Sequence, residues 1–249
     1  METGRNYNYI KENLETVRAG LSAVAEEAGR KSPPVLIAAV KYADEAEIAT
    51  LLSSGVTDVG ENRVQQLTER APLYEASGAR VHFIGTLQKN KVKYLIGHTA
   101  LIHSVDSTEL AAEIEKRAGA KGLTVDILLE INSACEAGKS GVPAEEAAAL
   151  FASVSAFTHL RVRGFMTMGP AGADSETYRR CFQKTREVGL SLFREAGRTE
   201  RPLFSMGMSE SYREAVLEGA DFVRIGRALF IRHPGDPLSS VKFQSEKSK

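Results

Sequence analysis

The sequence predicts an α/β fold of one domain, a (β/α)8 TIM barrel with an extra N-terminal helix. Short β-rich runs alternate with longer helical patterns, and about eight such runs can be counted. A length of 249 residues with 43% hydrophobic content is enough to bury one such core. The runs are VLIAAVK, TDVGEN, VHFIG, LIHSVD, VDILLEIN, LRVRGFMTM, LFSMGMS and DFVRIGRALF. They are rich in Val, Ile, Leu and Phe with little strict alternation, as expected for strands covered by helices outside and packed by one another within. A doubly wound open sheet is the competing architecture. The barrel is preferred because no G-x-G-x-x-G turn opens the first unit and because eight strands exceed what an open nucleotide-binding fold usually needs.

Ahead of the first strand, Ile10, Leu14, Val17, Leu21 and Val24 recur at helical spacing. They predict an amphipathic helix from about Tyr7 to Glu27 that ends before Ser32-Pro33-Pro34. No repeat beyond the βα alternation and no low-complexity linker divides the chain, so residues 1–232 are expected to form the barrel. Past Phe230 the chain turns polar and Pro/Gly-containing, and residues 233–249 are expected to be a loosely held tail.

Lys plus Arg equals Asp plus Glu at 32 each, so no overall field draws the chain to nucleic acid or to an anionic membrane. The two cysteines, Cys135 and Cys181, lack metal-ligand spacing and read as free thiols of a reducing compartment. The first residues lack a signal-peptide apolar stretch, and no run approaches the roughly 20 apolar residues of a membrane span. A soluble, cytoplasmic protein is expected.

In a barrel of this kind chemistry sits at the carboxyl ends of the strands. Lys41 closes the apolar run Val35 to Val40, Glu61 and Asn62 close the second strand, and His82 lies within the third. Asp106 closes the fourth strand and Asn132 the fifth. A lysine at such an end is either a snorkelling surface charge or a desolvated amine with a lowered pKa, able to attack an aldehyde. The second reading requires an anion site nearby to hold the partner. A candidate lies where the fold predicts one, at the loops after strands seven and eight. Ser205-Met206-Gly207-Met208-Ser209 precedes a helical pattern with Ser211 and Glu214 spaced as a capping box, and strand eight carries Arg224-Ile225-Gly226-Arg227.

Other chemistries fare worse. Gly138-Lys139-Ser140 matches the end of a nucleotide-binding P-loop, but Ser133 stands where its first glycine belongs. His82, His98, His103, His159 and His233 show no paired-ligand spacing, so no metal is implied. SMGMS does not supply the G-x-S-x-G elbow of a serine hydrolase.

Eight segments in register resemble the pyridoxal phosphate homeostasis proteins, single-barrel relatives of the N-terminal domain of alanine racemase. They are AAVK around Lys41, GEN at 60–62, HFIGTLQKNK at 82–91, HSVD at 103–106, KSGV at 139–142, GFMTM at 164–168, SMGMS and RIGRALF. The resemblance implies that Lys41 carries pyridoxal 5'-phosphate (PLP) as a Schiff base and that Asn62, His82 and Met166 belong to the same site. It implies that Ser205, Gly207, Met208 and Ser209, with Gly226 and Arg227 through their backbones, surround the phosphate, and that Arg224 faces the pyridine nitrogen. Two departures stand out: Val40 and Arg227 occupy positions where the family often has Ser and Thr. A cation at the ring nitrogen disfavours its protonation and makes the ring a poor electron sink, which argues against transamination.

The resemblance implies a PLP carrier without robust catalysis, serving intracellular PLP homeostasis and passing cofactor to apo PLP-dependent enzymes. A monomer bound to neither nucleic acid nor membrane is expected. The rival reading is an alanine-racemase-like amino-acid racemase, which needs a second acid/base from a further domain. The chain runs only about twenty residues past its last strand, so no such domain is expected.

Overall fold

The computed structural model describes residues 7–134 and 140–232. Cys135, the Gly138-Lys139 part of the P-loop-like segment, His233 and the polar tail lie outside the described residues.

Helix α1 (Asn8–Glu27) precedes an alternation of β1 (Val35–Ala39), α2 (Glu45–Ser53), β2 (Asp58–Glu61), α3 (Val64–Ser77) and β3 (Arg80–Phe83). A 3-10 turn (Lys89–Tyr94) leads to β4 (Leu101–Val105), α4 (Thr108–Ala120) and β5 (Val125–Asn132). The two-residue β6 (Val142–Pro143) and α5 (Ala147–Ser155) follow, then β7 (Leu160–Met166), α6 (Ser175–Glu195), β8 (Leu203–Ser205), α7 (Tyr212–Leu217), β9 (Phe222–Ile225) and α8 (Arg227–Phe230). Every strand pairing is parallel. The order β4-β3-β2-β1-β9-β8-β7-β5, with β4 pairing β5, closes the ring on eight strands, and β6 hangs from the end of β5. The closed barrel is therefore the architecture, and the open sheet is not.

The predicted N-terminal helix is present almost to the residue. Its buried stripe, Ile10, Leu14, Val17, Leu21 and Val24, packs against α2, α7 and α8. Asn13 adds a specific tie, its amide donating to the carbonyls of Leu229 (3.1 Å) and Ile231 (2.8 Å). Those carbonyls lie at the end of α8, where helical partners run out. One boundary differs from expectation. The run DFVRIGRALF does not stay extended: the strand stops at Ile225, and Gly226 becomes the N-cap of α8. The capping box anticipated for α7 is also absent, because the Ser211 hydroxyl makes no cap bond and accepts instead from the Met208 amide at 3.2 Å.

Most of the apolar core fills the layer between strands and helices. Inside the barrel a small separate cluster of Leu101, Leu128 and Met166 is joined by the partly buried Met168, Leu203 and Phe222. Cys181 is a buried thiol. Among the described residues no helix is long and apolar enough to cross a membrane.

The β7–β8 seam is tight at Gly164, where a Cβ would stand 1.9 Å from the carbonyl oxygen of Leu203. Backbone cannot yield as a side chain can, so Gly164→Ala is expected to lower the unfolding free energy by at least about 1–3 kcal/mol. A urea titration checks this, with a shifted midpoint at unchanged slope as the expected result.

Candidate functional site

At the carboxyl ends of the strands, β1 stops at Ala39 and a turn closed by the Ala43 amide on the Val40 carbonyl (3.0 Å) carries Lys41 outward. Lys41 is exposed, with its ammonium 4.9 Å from the centre of the Tyr42 ring, so of the two readings of a lysine at this strand end it has the geometry of the surface charge and not of the desolvated amine. The strand ends too early to keep the side chain inside. What the fold controls is the turn itself. From α3, Arg70 donates to the carbonyls of Val40 (3.2 Å) and Ala43 (2.7 Å), and Gln66 donates to that of Lys41 (3.2 Å). Arg70 is held in turn by Glu61 at 2.9 Å, which also accepts from the Tyr74 hydroxyl at 2.5 Å. Glu61 thus serves this clamp rather than the mouth.

Lys41, Tyr42, Asn62, Arg63, Gly85 and Thr86 line a cleft of about 330 Å³. Among the described residues, the buried Oδ1 of Asn62 has no hydrogen-bond partner, which marks an unsatisfied acceptor on a residue of the cleft that Lys41 also lines. Gly85 lets the β2 and β3 ends close up, since a Cβ there would lie 2.2 Å from the Asn62 carbonyl oxygen.

Below the mouth a row of polar side chains crosses the barrel interior. Arg224 donates through Nη1 to Ser205 Oγ at 2.6 Å and through Nη2 to the Thr167 carbonyl at 2.9 Å. Ser205 Oγ meets His103 Nδ1 at 2.9 Å, His103 Nε2 meets His82 Nδ1 at 2.9 Å, and His82 Nε2 meets Asp58 Oδ1 at 2.9 Å. The other carboxylate oxygen of Asp58 accepts from Arg80 at 2.8 Å and from the Thr57 hydroxyl at 2.6 Å. Both nitrogens of His82 are therefore engaged inside the barrel. Ser205 is likewise fully buried, and its hydroxyl anchors Arg224 instead of facing the phosphate loops.

The electrostatics follow from this burial. Burial, helped by His82 and Arg224 nearby, pushes His103 well below the ordinary histidine range. Burial alone would raise Asp58, but hydrogen bonds from His82, Arg80 and Thr57 outweigh it and bring its pKa down to about 2. Burial lowers Arg224 to about 10 against the attraction of Glu130. Glu130, in β5, is raised to about 7 by burial and by Asp106, with Arg224 opposing.

The loops after β8 and β9 meet at the same end of the barrel. Gly207 adopts φ +87°, and a Cβ there would lie 2.5 Å from that of Ala215. Ser209 Oγ accepts from the Ala228 amide at 3.2 Å and ties the first loop to the start of α8. Two loops and a short extra helix are the parts from which barrels build phosphate sites. Gly226 packs against β1, since its Cβ would lie 2.9 Å from the Ala39 oxygen. That seam puts both loops beside the turn bearing Lys41. Arg227 and Glu210, both exposed, form an ion pair on the rim, and Met208 is exposed there too. Met166 lies deeper, within the inner apolar cluster.

Sequence reasoning missed Asp58, His103, Thr167, Arg70 and Glu210. Asp58 and His103 were within reach, because they share strand parity with the inward-facing Gly60 and with Leu101 respectively. Arg70 and Glu210 reach the site from helix and loop, where no period marks them.

The chain matches the family described as alanine racemase, N-terminal domain, over residues 9–234. It is 38% identical over 220 residues to the pyridoxal phosphate homeostasis protein of Aquifex aeolicus, covering 88% of this chain and 96% of that protein. It is 32% identical over 231 residues to the pyridoxal phosphate homeostasis protein of Escherichia coli, covering 90% and 96%. The structure of PipY from Synechococcus elongatus with PLP bound is similar at a TM-score of 0.77 and 29% identity, covering 89% of this chain and 99% of that one.

Glu130 makes stability depend on pH. An acid whose folded pKa is raised binds its proton more tightly in the folded state, so its contribution is full below about 4.5 and is lost as pH rises through about 7. Glu130→Gln removes this loss. Urea midpoints of the cofactor-free protein from pH 5 to 8 should show the variant gaining on the parent with rising pH, by at most about 1.4 kcal/mol per unit. A difference constant across the range would refute the assignment.

Proposed function

Because this chain belongs to the pyridoxal phosphate homeostasis protein family, we propose that it binds PLP as a Schiff base on Lys41 and serves to hold and hand on the cofactor within the cell. The observation that carries this reading is the seam between β1 and β9. Gly226 packs on Ala39, two residues before Lys41, so a primary amine and the loops suited to a phosphate share one rim. PLP supplies an aldehyde with which a lysine amine condenses, releasing water.

Each residue then has a task. The clamp from Arg70 and Gln66 fixes the backbone from which Lys41 reaches the cofactor. Asn62 offers its unpartnered Oδ1 from the cleft that Lys41 also lines, and Met166 underlies the site from the inner cluster. Gly207, Met208, Ser209, Gly226 and Arg227 present main-chain groups to the phosphate, with Ser205 supporting from below. Arg224, buried and cationic, lies under the pyridine nitrogen and keeps it unprotonated, which favours holding the cofactor over stabilising a carbanion on it. An exposed Lys41 leaves the carbon–nitrogen bond open to water and to an incoming amine, as release to apo PLP-dependent enzymes in the cytoplasm requires.

Protein loaded with PLP should absorb in the visible, and borohydride should place a pyridoxyl adduct on Lys41. Lys41→Ala should lose the adduct with its far-ultraviolet circular dichroism unchanged, and an adduct confined to another lysine would overturn the assignment. The same loaded protein should restore an apo-enzyme while forming D-alanine or D-serine little faster than free PLP does. Robust racemisation that depends on Lys41 would make it an enzyme instead.

The Arg227–Glu210 pair yields a second expectation. An exposed pair is worth about 0.2–1 kcal/mol, so Glu210 competes only mildly with a phosphate for Arg227. Glu210→Gln should slow PLP release by about 1.5 to 5-fold and leave pyridoxal, which lacks the phosphate, unaffected. Stopped-flow transfer to an excess of scavenging hydroxylamine measures both. Equal slowing for the two ligands would remove Arg227 from the phosphate site.

A further inference from the structure

The buried row gives Arg224 more than a place to rest. Asp58, ionised, can only accept, so it requires a proton on His82 Nε2. With His82 neutral, its Nδ1 presents a lone pair, which requires a proton on His103 Nε2. His103 Nδ1 is in turn an acceptor, so the Ser205 hydroxyl donates to it and keeps its own lone pair for Arg224 Nη1. Every proton in the row points away from Arg224 and toward Asp58. The row spans five strands, from the start of β2 at the N-terminal face, where Asp58 and Arg80 border a second cleft, to β9 beneath the mouth.

We propose that Asp58 is a positioning residue for Arg224, setting the direction of this whole hydrogen-bond row so that Ser205 gives its proton to His103 and accepts from the guanidinium alone. The link to the cofactor rests on the PLP reading above; the direction of the row does not. Asparagine at position 58 reverses it for a definite reason. Two donors, Arg80 and Thr57, converge on Asp58 Oδ2 and claim the single amide oxygen, turning the amide NH₂ toward His82. His82 Nε2 must then accept, Nδ1 carries the proton and donates to His103 Nε2, and His103 Nδ1–H donates to Ser205. Ser205 Oγ now receives two donors, and its own proton loses the His103 acceptor. The side chains keep their sizes, and the Arg80 left without its ion pair is 59% exposed and can hydrate.

The test is nitrogen NMR on protein labelled with ¹⁵N-histidine, in the absence of PLP. The parent should show His82 and His103 both neutral and both protonated at Nε2. Either ring protonated at Nδ1 alone, or at both nitrogens, overturns the proposal before any variant is made. In Asp58→Asn both rings should switch to the Nδ1–H form, while Thr57→Val, which keeps the carboxylate, should retain the parent pattern. Unchanged tautomers in Asp58→Asn overturn the proposal, as does a switch in Thr57→Val. With PLP bound, Asp58→Asn should shift the visible band and release cofactor roughly tenfold faster, the order expected for weakening one hydrogen bond to a charged group. Release at the parent rate would break the link between Asp58 and Arg224. A parent that takes up no PLP would instead sink the reading of function, leaving the tautomers to judge the row.

Discussion

The burial of Arg224 is the constraint around which the barrel interior is arranged. Removing a guanidinium from water costs several kcal/mol unless its donors are paired and its charge is answered. Ser205 Oγ and the Thr167 carbonyl pair two of its nitrogens, while Glu130 attracts it from β5. Behind Ser205 the row of His103 and His82 leads to a second anion, Asp58. A barrel interior is ordinarily packed by branched apolar side chains. Here that packing shrinks to Leu101, Leu128 and Met166 with their neighbours, because the remaining space is needed to satisfy one cation. The two imidazoles still contribute apolar surface, since both pack against Phe222 with ring centres 5.6 and 5.7 Å away.

Closure of the sheet turns this interior into a mouth. Because β9 returns to pair with β1, the last loop of the chain lies against the first, and the missing side chain at Gly226 allows the contact. The turn bearing Lys41 is then fixed from its other side by α3, through donors to three neighbouring carbonyls. Glu61 and Tyr74 orient the arginine that supplies two of them. The amine itself is exposed while its backbone is held. Under the proposed function such an arrangement lowers the ordering cost of capturing a ligand without burying the amine.

The alternation of elements, the strand count and the N-terminal stripe were legible because each rests on a local period that burial enforces. Lys41, Asn62, Gly207, Ser209, Gly226 and Arg224 stood out in the sequence as motif residues at or after strand ends, and their roles toward a cofactor belong to the proposed function. The exposure of Lys41 was not legible, because it depends on where β1 stops, and VLIAAVK carries no breaker before Lys41. The α8 turn was hidden for a similar reason: RALF is as apolar as a strand, and only the Asn13 side chain, more than two hundred residues away, shows that its end is capped. The capping spacing of Ser211 and Glu214 misled because Ser211 had a nearer donor in Met208. His82 was read as lying within the third strand, but its partners were not legible, since they come from β2 and β4 and no single strand reveals them.

A protein that keeps a reactive aldehyde in reserve must bind it firmly and give it up. In the proposed reading these demands fall on different parts of the mouth. Firmness comes from main-chain groups of the β8 and β9 loops and from a cation whose position is fixed through the barrel core. Release comes from the exposed rim, where Lys41 meets water and Arg227 is paired with Glu210. In that reading a cation at the ring nitrogen would also weaken the ring as an electron sink, so that retention would be favoured over catalysis. Separating a rigid polar interior from an open rim lets a small barrel tune its hold on a ligand at the surface without disturbing the buried charge on which its core is built.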